Sequence, residues 1–398
     1  MKKTSSSQLT VKSDAIILPS GLFDGYITSE DGKITAVTKK PPASKGEYLD
    51  VTGYYVAPGF IDMHTHGGGG HDFMDGDVRC ITEAALTHMR HGTTTIIPSS
   101  VASSLEELYT FIDNFREAKH ILEDGPCLWG MHLEGPYFNK AQAGAQDPQY
   151  IKDPTPGEYK SIATYGKDAI TRWSVAPELD GALEMGDYLA SHGILPSIGH
   201  SDAEYADVIS ARNHHYTLVT HLYSGMSTIV RKGGYRKLGV IESAYLIDDM
   251  DVEIIADGHH LPAELLRFIY KFKGPDRIAL VTDSMRAAGM PDGESVLGSL
   301  KSGQKVIVEG GVAKLTDRTA FAGSVATTDR LVRVMHIEAG IDVANTIKMI
   351  TSTPARILGA TQKGTIAVHK DCDLTVFDNN IGIKAVVIGG NIRHIIGG

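Results

Sequence analysis

The sequence predicts an α/β protein: a (β/α)8 TIM-like barrel over residues 57–359, joined to a small β-sandwich domain built from residues 1–56 and 360–398. Three observations predict it. Apolar, β-branched-rich runs alternate with helical patterns about eight times through the middle, as parallel strands joined by right-handed crossovers require. Both ends of the chain read as short strands and turns, and chain termini commonly lie close together. Polar, chemistry-bearing side chains fall at the C-terminal ends of the predicted strands while the strand bodies read as apolar, and that end is the face on which barrel enzymes build their sites.

The first 56 residues give strands at Leu9–Lys12, Ala15–Leu18, Phe23–Ile27 and Lys33–Val37, broken by the turn signals Pro19-Ser20-Gly21 and Asp31-Gly32. The other end has the same texture at Gly364–Val368, Asp373–Phe377 and Ala385–Ile388. Between them the expected strands are Tyr55–His66, Thr94–Ser99, Leu128–Glu134, Arg172–Pro177, Leu195–His200, Leu218–Tyr223, Val252–Asp257 and Ile278–Asp283. Helical patterns fall at Ile81–His91, Ser104–Lys119, Ala182–His192, Ser201–Arg212 and Pro262–Phe272. Ser201 and Glu204 have the spacing of a capping box at the start of the fourth of these.

A chain of 398 residues suits one domain of about 250–300 residues with a smaller satellite. Apolar residues make up 42% and charged residues 22%, the balance of a soluble globular protein. The formal net charge of -10, with basic residues scattered, argues against nucleic acid as a partner. No stretch reaches 18 consecutive apolar residues and no signal-type segment follows Met1–Gln8, so the expectation is a cytoplasmic protein without a membrane partner. Cys80, Cys127 and Cys372 form no Cys-x-x-Cys pair, which leaves any metal to be held by His, Asp and Glu.

His64 and His66 are the first such candidates: at i and i+2 of a strand, both imidazoles face one side and can serve one ion. The glycines Gly67 to Gly70 then let the backbone turn away. Later strand ends carry His132-Leu133-Glu134, Gly199-His200, Thr220-His221, Asp257-Gly258-His259-His260 and Thr282-Asp283. A single histidine in a strand is usually a hydrogen-bonded core residue, but polar residues at six strand ends of one barrel form a site. Such donors, without thiolate, suit zinc, iron or another borderline divalent ion with a position open to water. The ion would lower the pKa of water and polarise a carbonyl, the two needs of amide hydrolysis, and a nearby carboxylate must then move the proton. Asp283 is the best placed; its structural alternative is a turn cap formed with Ser284.

With these motifs in hand the chain resembles the amidohydrolase superfamily, and within it the N-acetylglucosamine-6-phosphate deacetylase family. The likeness runs from Pro58-Gly59-Phe60-Ile61-Asp62 through His132-Leu133-Glu134-Gly135-Pro136 to Lys363-Gly364-Thr365-Ile366-Ala367. It implies that Glu134, His200 and His221 hold a principal ion, and that His64 and His66 hold a second bridged by Glu134. In this family Glu134 would replace the modified lysine of other amidohydrolases. The cofactor implied is a divalent metal, zinc first and Fe2+ second, with one or two ions per subunit. Asp283 becomes general base and then acid, His260 a substrate contact, and Ala322 part of an Ala-Gly-Ser turn near the sugar.

Three departures bear on the substrate. Gln146 stands where the family often has histidine, and its amide can still donate a hydrogen bond. Ser224-Gly225-Met226 replaces Asn-Ala-Met where the family holds phosphate. The basic loop Arg231 to Lys237, with Arg231 and Arg236 as candidate phosphate contacts, does not align with the family's single arginine, and a solvated surface is the alternative reading. The expected partner is a small amino-sugar phosphate, N-acetylglucosamine-6-phosphate first, acted on by a homodimer. The alternatives are N-acetylgalactosamine-6-phosphate or another N-acetyl amino sugar, an N-acyl-amino-acid hydrolase, and a catalytically silent amidohydrolase-like scaffold.

Overall fold

The computed structural model describes residues 8–43 and 46–395; the serine run Ser5-Ser6-Ser7 lies outside them. Strands from the two ends of the chain share one sheet of eight. Gln8–Leu18 pairs antiparallel with Gly21–Glu30, which pairs with Lys33–Thr38. On its other edge Gln8–Leu18 runs parallel to Glu47–Asp50 and Tyr55–Pro58, with a bulge between Ser13 and Ile16 that lets one strand serve both. Tyr55–Pro58 then pairs with Leu374–Phe377, followed by Ile383–Ile388 and Asn391–Ile395. Alternate residues such as Leu9, Val11, Val56, Leu374 and Val376 bury a separate apolar cluster. Eight strands therefore join in a single hydrogen-bonded sheet. Gly364–Val368, expected as a strand, forms turns and irregular chain.

The middle forms parallel ladders. Met131–Glu134, Ile170–Val175, Leu195–Ile198, Leu218–Val219, Asp251–Ile254 and Ile278–Leu280 lie side by side in chain order. Phe60–Thr65, Thr93–Pro98 and Cys127–Leu128 make a second parallel sheet. Helices fall between strands, including Val78–Arg90, Leu105–Ile121, Ala182–Ser191, Tyr205–Asn213 and Ala263–Lys273, and pack apolar residues into the largest buried cluster. The two sheets meet through an isolated parallel bridge, Ser99 to His132, and through the Asp283 N–H donating to the His64 carbonyl at 2.9 Å. The hydrogen-bonded ladder thus stops at both seams, and the continuous eight-stranded closure expected from the sequence is not present as a sheet.

Ser104 caps Leu105–Ile121 in a capping box with Glu107. The expected box at Ser201 does not form. Its helix begins at Tyr205 with Glu204 as N-cap, the Glu204 N–H donates to Asp207, and the Ser201 hydroxyl donates instead to Glu178 at 2.7 Å. The same Ser201 oxygen accepts the Ala203 N–H at 3.1 Å, closing a local turn ahead of the helix. After Ile278–Leu280 comes a three-stranded antiparallel insert, Gly293–Leu297, Gln304–Glu309 and Val312–Leu315. Among the described residues no helix is long and apolar enough to cross a membrane.

Candidate active site

Four imidazoles and two carboxylates converge at the carboxyl ends of the parallel strands. His64 lies in Phe60–Thr65, His66 just follows it, and Glu134 ends Met131–Glu134. His200, His221 and Asp283 stand two or three residues beyond Leu195–Ile198, Leu218–Val219 and Ile278–Leu280. All six are buried.

Glu134 is the hub. Its Oε1 lies 2.9 Å from His221 Nε2, 3.2 Å from His200 Nε2 and 3.6 Å from His64 Nε2. Its Oε2 lies 3.3 Å from His66 Nε2, and the His64 and His66 Nε2 atoms are 3.3 Å apart. Two trios result, His64–His66–Glu134 and Glu134–His200–His221, each with its donor atoms within 4.8 Å of one another. Asp283 Oδ1 sits beside the first, 3.1 Å from His66 Nε2 and 3.5 Å from His64 Nε2.

The backbone is bent to make this possible. His200, His221 and Asp283 adopt φ values of 47°, 29° and 47°, the left-handed region that costs a non-glycine residue about 1–2 kcal/mol. Neighbouring hydrogen bonds hold them there, as local strain at a functional site demands. The Asp283 N–H donates to His64 and its carbonyl accepts from the Ser324 N–H at 2.7 Å.

The electrostatics couple two buried carboxylates to the imidazoles around them. Burial lowers an imidazole's pKa, yet the Asp283 and Glu134 carboxylates outweigh it and raise His64 to about 9 and His66 well above its ordinary value. Burial likewise works to raise the two carboxyls, but the imidazoles hold Glu134 well below and Asp283 below the usual range. A divalent cation answers the same demand. The residues present fit one: the His200 Nδ1–H donates to the Gln142 carbonyl at 2.8 Å, which leaves the Nε2 lone pair directed at Glu134. Among the described residues, His66 Nδ1 and His221 Nδ1 have no hydrogen-bond partner.

Beside the cluster lies a cavity of about 200 Å³ whose wall includes His66, Glu134, His200, His221 and Asp283 together with Gln146, Ser224, Gly225 and His260. His260 donates from Nδ1 to Asp257 Oδ2 at 2.8 Å and packs its ring on Phe321, with centroids 4.8 Å apart. Gln146 is engaged at both ends, donating from Nε2 to Glu134 Oε2 and accepting from the Ala102 N–H, each at 2.7 Å. Ala322 is buried in the apolar cluster of the insert, and its neighbours Phe321 and Gly323 line the cavity instead. Arg231 and Arg236 face each other across an exposed hairpin, Val230–Lys232 and Tyr235–Lys237, and are not part of the wall.

The expectation of apolar strand bodies is corrected. Asp62, Arg172 and Glu253 are fully buried inside strands, beneath the imidazoles. Nothing in one-dimensional spacing pairs Arg172 with Glu253 across 81 residues. Phe321 belongs to a segment without strand or helix periodicity.

The sequence model of the amidohydrolase family matches residues 55–393. The chain belongs to the amidohydrolase family. Within it, this amidohydrolase is 31% identical to the N-acetylglucosamine-6-phosphate deacetylase of Bacillus subtilis (strain 168), over 98% of each chain. It is 28% identical to the N-acetylgalactosamine-6-phosphate deacetylase of Escherichia coli O157:H7, over 93% of this chain and 95% of the other. A solved structure of a mutant N-acetyl-D-glucosamine-6-phosphate deacetylase from Mycobacterium smegmatis, in complex with N-acetyl-D-glucosamine-6-phosphate, superimposes with a TM-score of 0.88 at 29% identity, covering 98% of this chain and 100% of that one.

Proposed function

We propose that this amidohydrolase hydrolyses the acetamide of N-acetylglucosamine-6-phosphate to glucosamine-6-phosphate and acetate. The observation that carries the reading is the pair of trios sharing Glu134, with Asp283 3.1 Å from His66 and a cavity of hexosamine scale beside them. Glu134, His200 and His221 would hold the principal ion, and His64, His66 and Glu134 a second, zinc in preference to iron. A divalent ion bound there supplies Lewis acidity toward the acetamide carbonyl and lowers the pKa of water. Asp283, beside the ion site with its Oδ1 3.1 Å from His66 Nε2, takes the proton from the attacking water and returns it to the leaving nitrogen. His260, fixed by Asp257, offers its Nε2 to a sugar hydroxyl, while Ser224 and Gly225 offer backbone groups to the phosphate.

The same reading takes the two parallel sheets as arcs of one (β/α)8 barrel over residues 57–359, and residues 1–56 and 360–398 as the satellite domain. It places the enzyme in the cytoplasm as a homodimer. The exposed aromatics Phe268 and Phe272, packed against each other with centroids 4.7 Å apart, support a subunit contact.

N-Acetylgalactosamine-6-phosphate is the second substrate, favoured by the likeness to the Escherichia coli enzyme and by the Ser224–Gly225 departure in the phosphate loop. The test is a deacetylation screen over N-acetylated hexosamines with and without the 6-phosphate, alongside metal quantification. Fastest turnover of N-acetylglucosamine-6-phosphate is expected; equal turnover of unphosphorylated sugar would remove the phosphate from the reading.

A further inference from the structure

We propose that Glu253, clamped by Arg172, is a positioning residue that fixes His64 as its Nδ1–H tautomer and so presents Nε2 to the second ion. The proposal rests on the reading of His64, His66 and Glu134 as an ion site. Glu253 sits in the middle of Asp251–Ile254, fully buried, and its Oε2 lies 3.4 Å from His64 Nδ1. An ionised carboxylate only accepts, so the proton of His64 belongs on Nδ1. The lone pair then falls on Nε2, the atom that faces His66 Nε2 and Glu134 Oε1. The same Oε2 accepts the His221 N–H at 3.3 Å, so one carboxylate touches a residue from each trio.

Arg172 keeps this carboxylate ionised and still. Its Nη2 donates to Glu253 Oε2 at 2.8 Å, and its Nη1 donates to Glu253 Oε1. The remaining donors reach the Met63 carbonyl at 3.1 Å, Thr220 Oγ1 at 2.9 Å and Ser197 Oγ at 3.3 Å. Met63 and Thr220 are the residues preceding His64 and His221. Stability alone does not account for the pair, because a buried ion pair is often matched or exceeded by apolar residues of similar volume. Its place does: it stands under the ligands and cancels its own charge, leaving the charges of Glu134 and Asp283 to the ions. Outer carboxylates that orient a ligating imidazole typically set metal affinity by about 10- to 100-fold.

The experiment compares wild-type protein with an Arg172→Met, Glu253→Leu double variant, which removes the acceptor without stranding a buried charge. Imidazole-tuned 15N NMR reads the protonated nitrogen of His64, assigned by difference from His64→Asn, and Co2+ titration counts sites and affinities. The expected result is Nδ1–H in the wild type, loss of that fixed tautomer in the double variant, and second-ion affinity weakened about 10- to 100-fold, more than that of the principal site. A singly protonated His64 that carries its proton on Nε2 in the wild type overturns the proposal whether or not the variant folds. Unchanged tautomer and second-ion affinity in a folded double variant overturn it as well. A wild type that binds a single Co2+, yet holds His64 as Nδ1–H only while Glu253 is present, removes the two-ion reading and supports the positioning role.

Discussion

At the residue scale the proposed chemistry turns on Asp283. Asn is the informative replacement because it tolerates a positive φ, matching the 47° required there, and keeps the shape while losing the base. Asp283→Asn is expected to retain wild-type metal content and to lose on the order of 100- to 10,000-fold in turnover. Deacetylation assays with metal quantification on the same samples check it, and a near wild-type rate would assign the proton transfer elsewhere. His64 gives a pH signature. Its pKa in the metal-free fold, about 9 against an ordinary 6.5, is raised, so its stabilising contribution is complete below about pH 6.5 and is lost as pH rises through about 9. Metal-free protein should therefore lose thermal stability over that interval. Zinc uptake near neutral pH should displace protons from the imidazoles, seen as buffer-dependent binding enthalpy in calorimetry. Uptake without proton release would mean that the ion sits elsewhere.

At the element scale, tight loops beyond the strands aim the proposed ligands. Gly225 has φ of 59°, and a Cβ on it would meet His200 Nδ1 at 2.8 Å and the Gln142 carbonyl at 3.1 Å. The glycine thus makes room for the hydrogen bond that sets the His200 tautomer. Gly225→Ala should cost about 1–3 kcal/mol and weaken principal-ion affinity more than it changes the second site. Thermal unfolding and metal titration check this, and unchanged affinity would show that the loop yields instead. The sequence revealed these loops only in part. Strand ends bearing His64, Glu134, His200, His221 and Asp283 were legible because an apolar run followed by a polar residue is a local pattern. The insert at Gly293–Leu315 was not read, although Gly310-Gly311 between two alternating runs is a hairpin signal. Gly364–Val368 failed as a strand because β-propensity is a weak preference that tertiary context overrides. Glu253 and Arg172 were invisible because their meaning is the contact between them, which only the folded chain supplies.

For the whole molecule, the terminal sheet is the foundation of the strand that carries His64 and His66. Only Gly59 separates Tyr55–Pro58, in that sheet, from Phe60–Thr65. The junction is tied where the Gly59 N–H donates to the Asp373 carbonyl at 2.8 Å and Thr375 Oγ1 donates to the Gly92 carbonyl at 2.7 Å. Lys363 secures Asp373 from below. Its buried ammonium lies 2.6 Å from Asp373 Oδ2 and 3.1 Å from Asp371 Oδ2, while Asp373 Oδ1 accepts the Gly389 N–H at 2.8 Å. Removing the cation leaves a carboxylate buried against the joint without its partner, and breaking a buried pair from one side costs about 3–5 kcal/mol. Lys363→Met should therefore lower the unfolding temperature markedly. Turnover per folded molecule should stay near wild type, because none of these groups reaches the cavity. A second change, Asp373→Asn, removes the stranded charge and should recover part of the loss. Differential scanning calorimetry of the single and double variants, read beside activity at a temperature where both are folded, separates the outcomes. A Lys363→Met protein with wild-type stability would show that water reaches the joint, and one with intact stability but lost turnover would tie the terminal sheet to the chemistry itself.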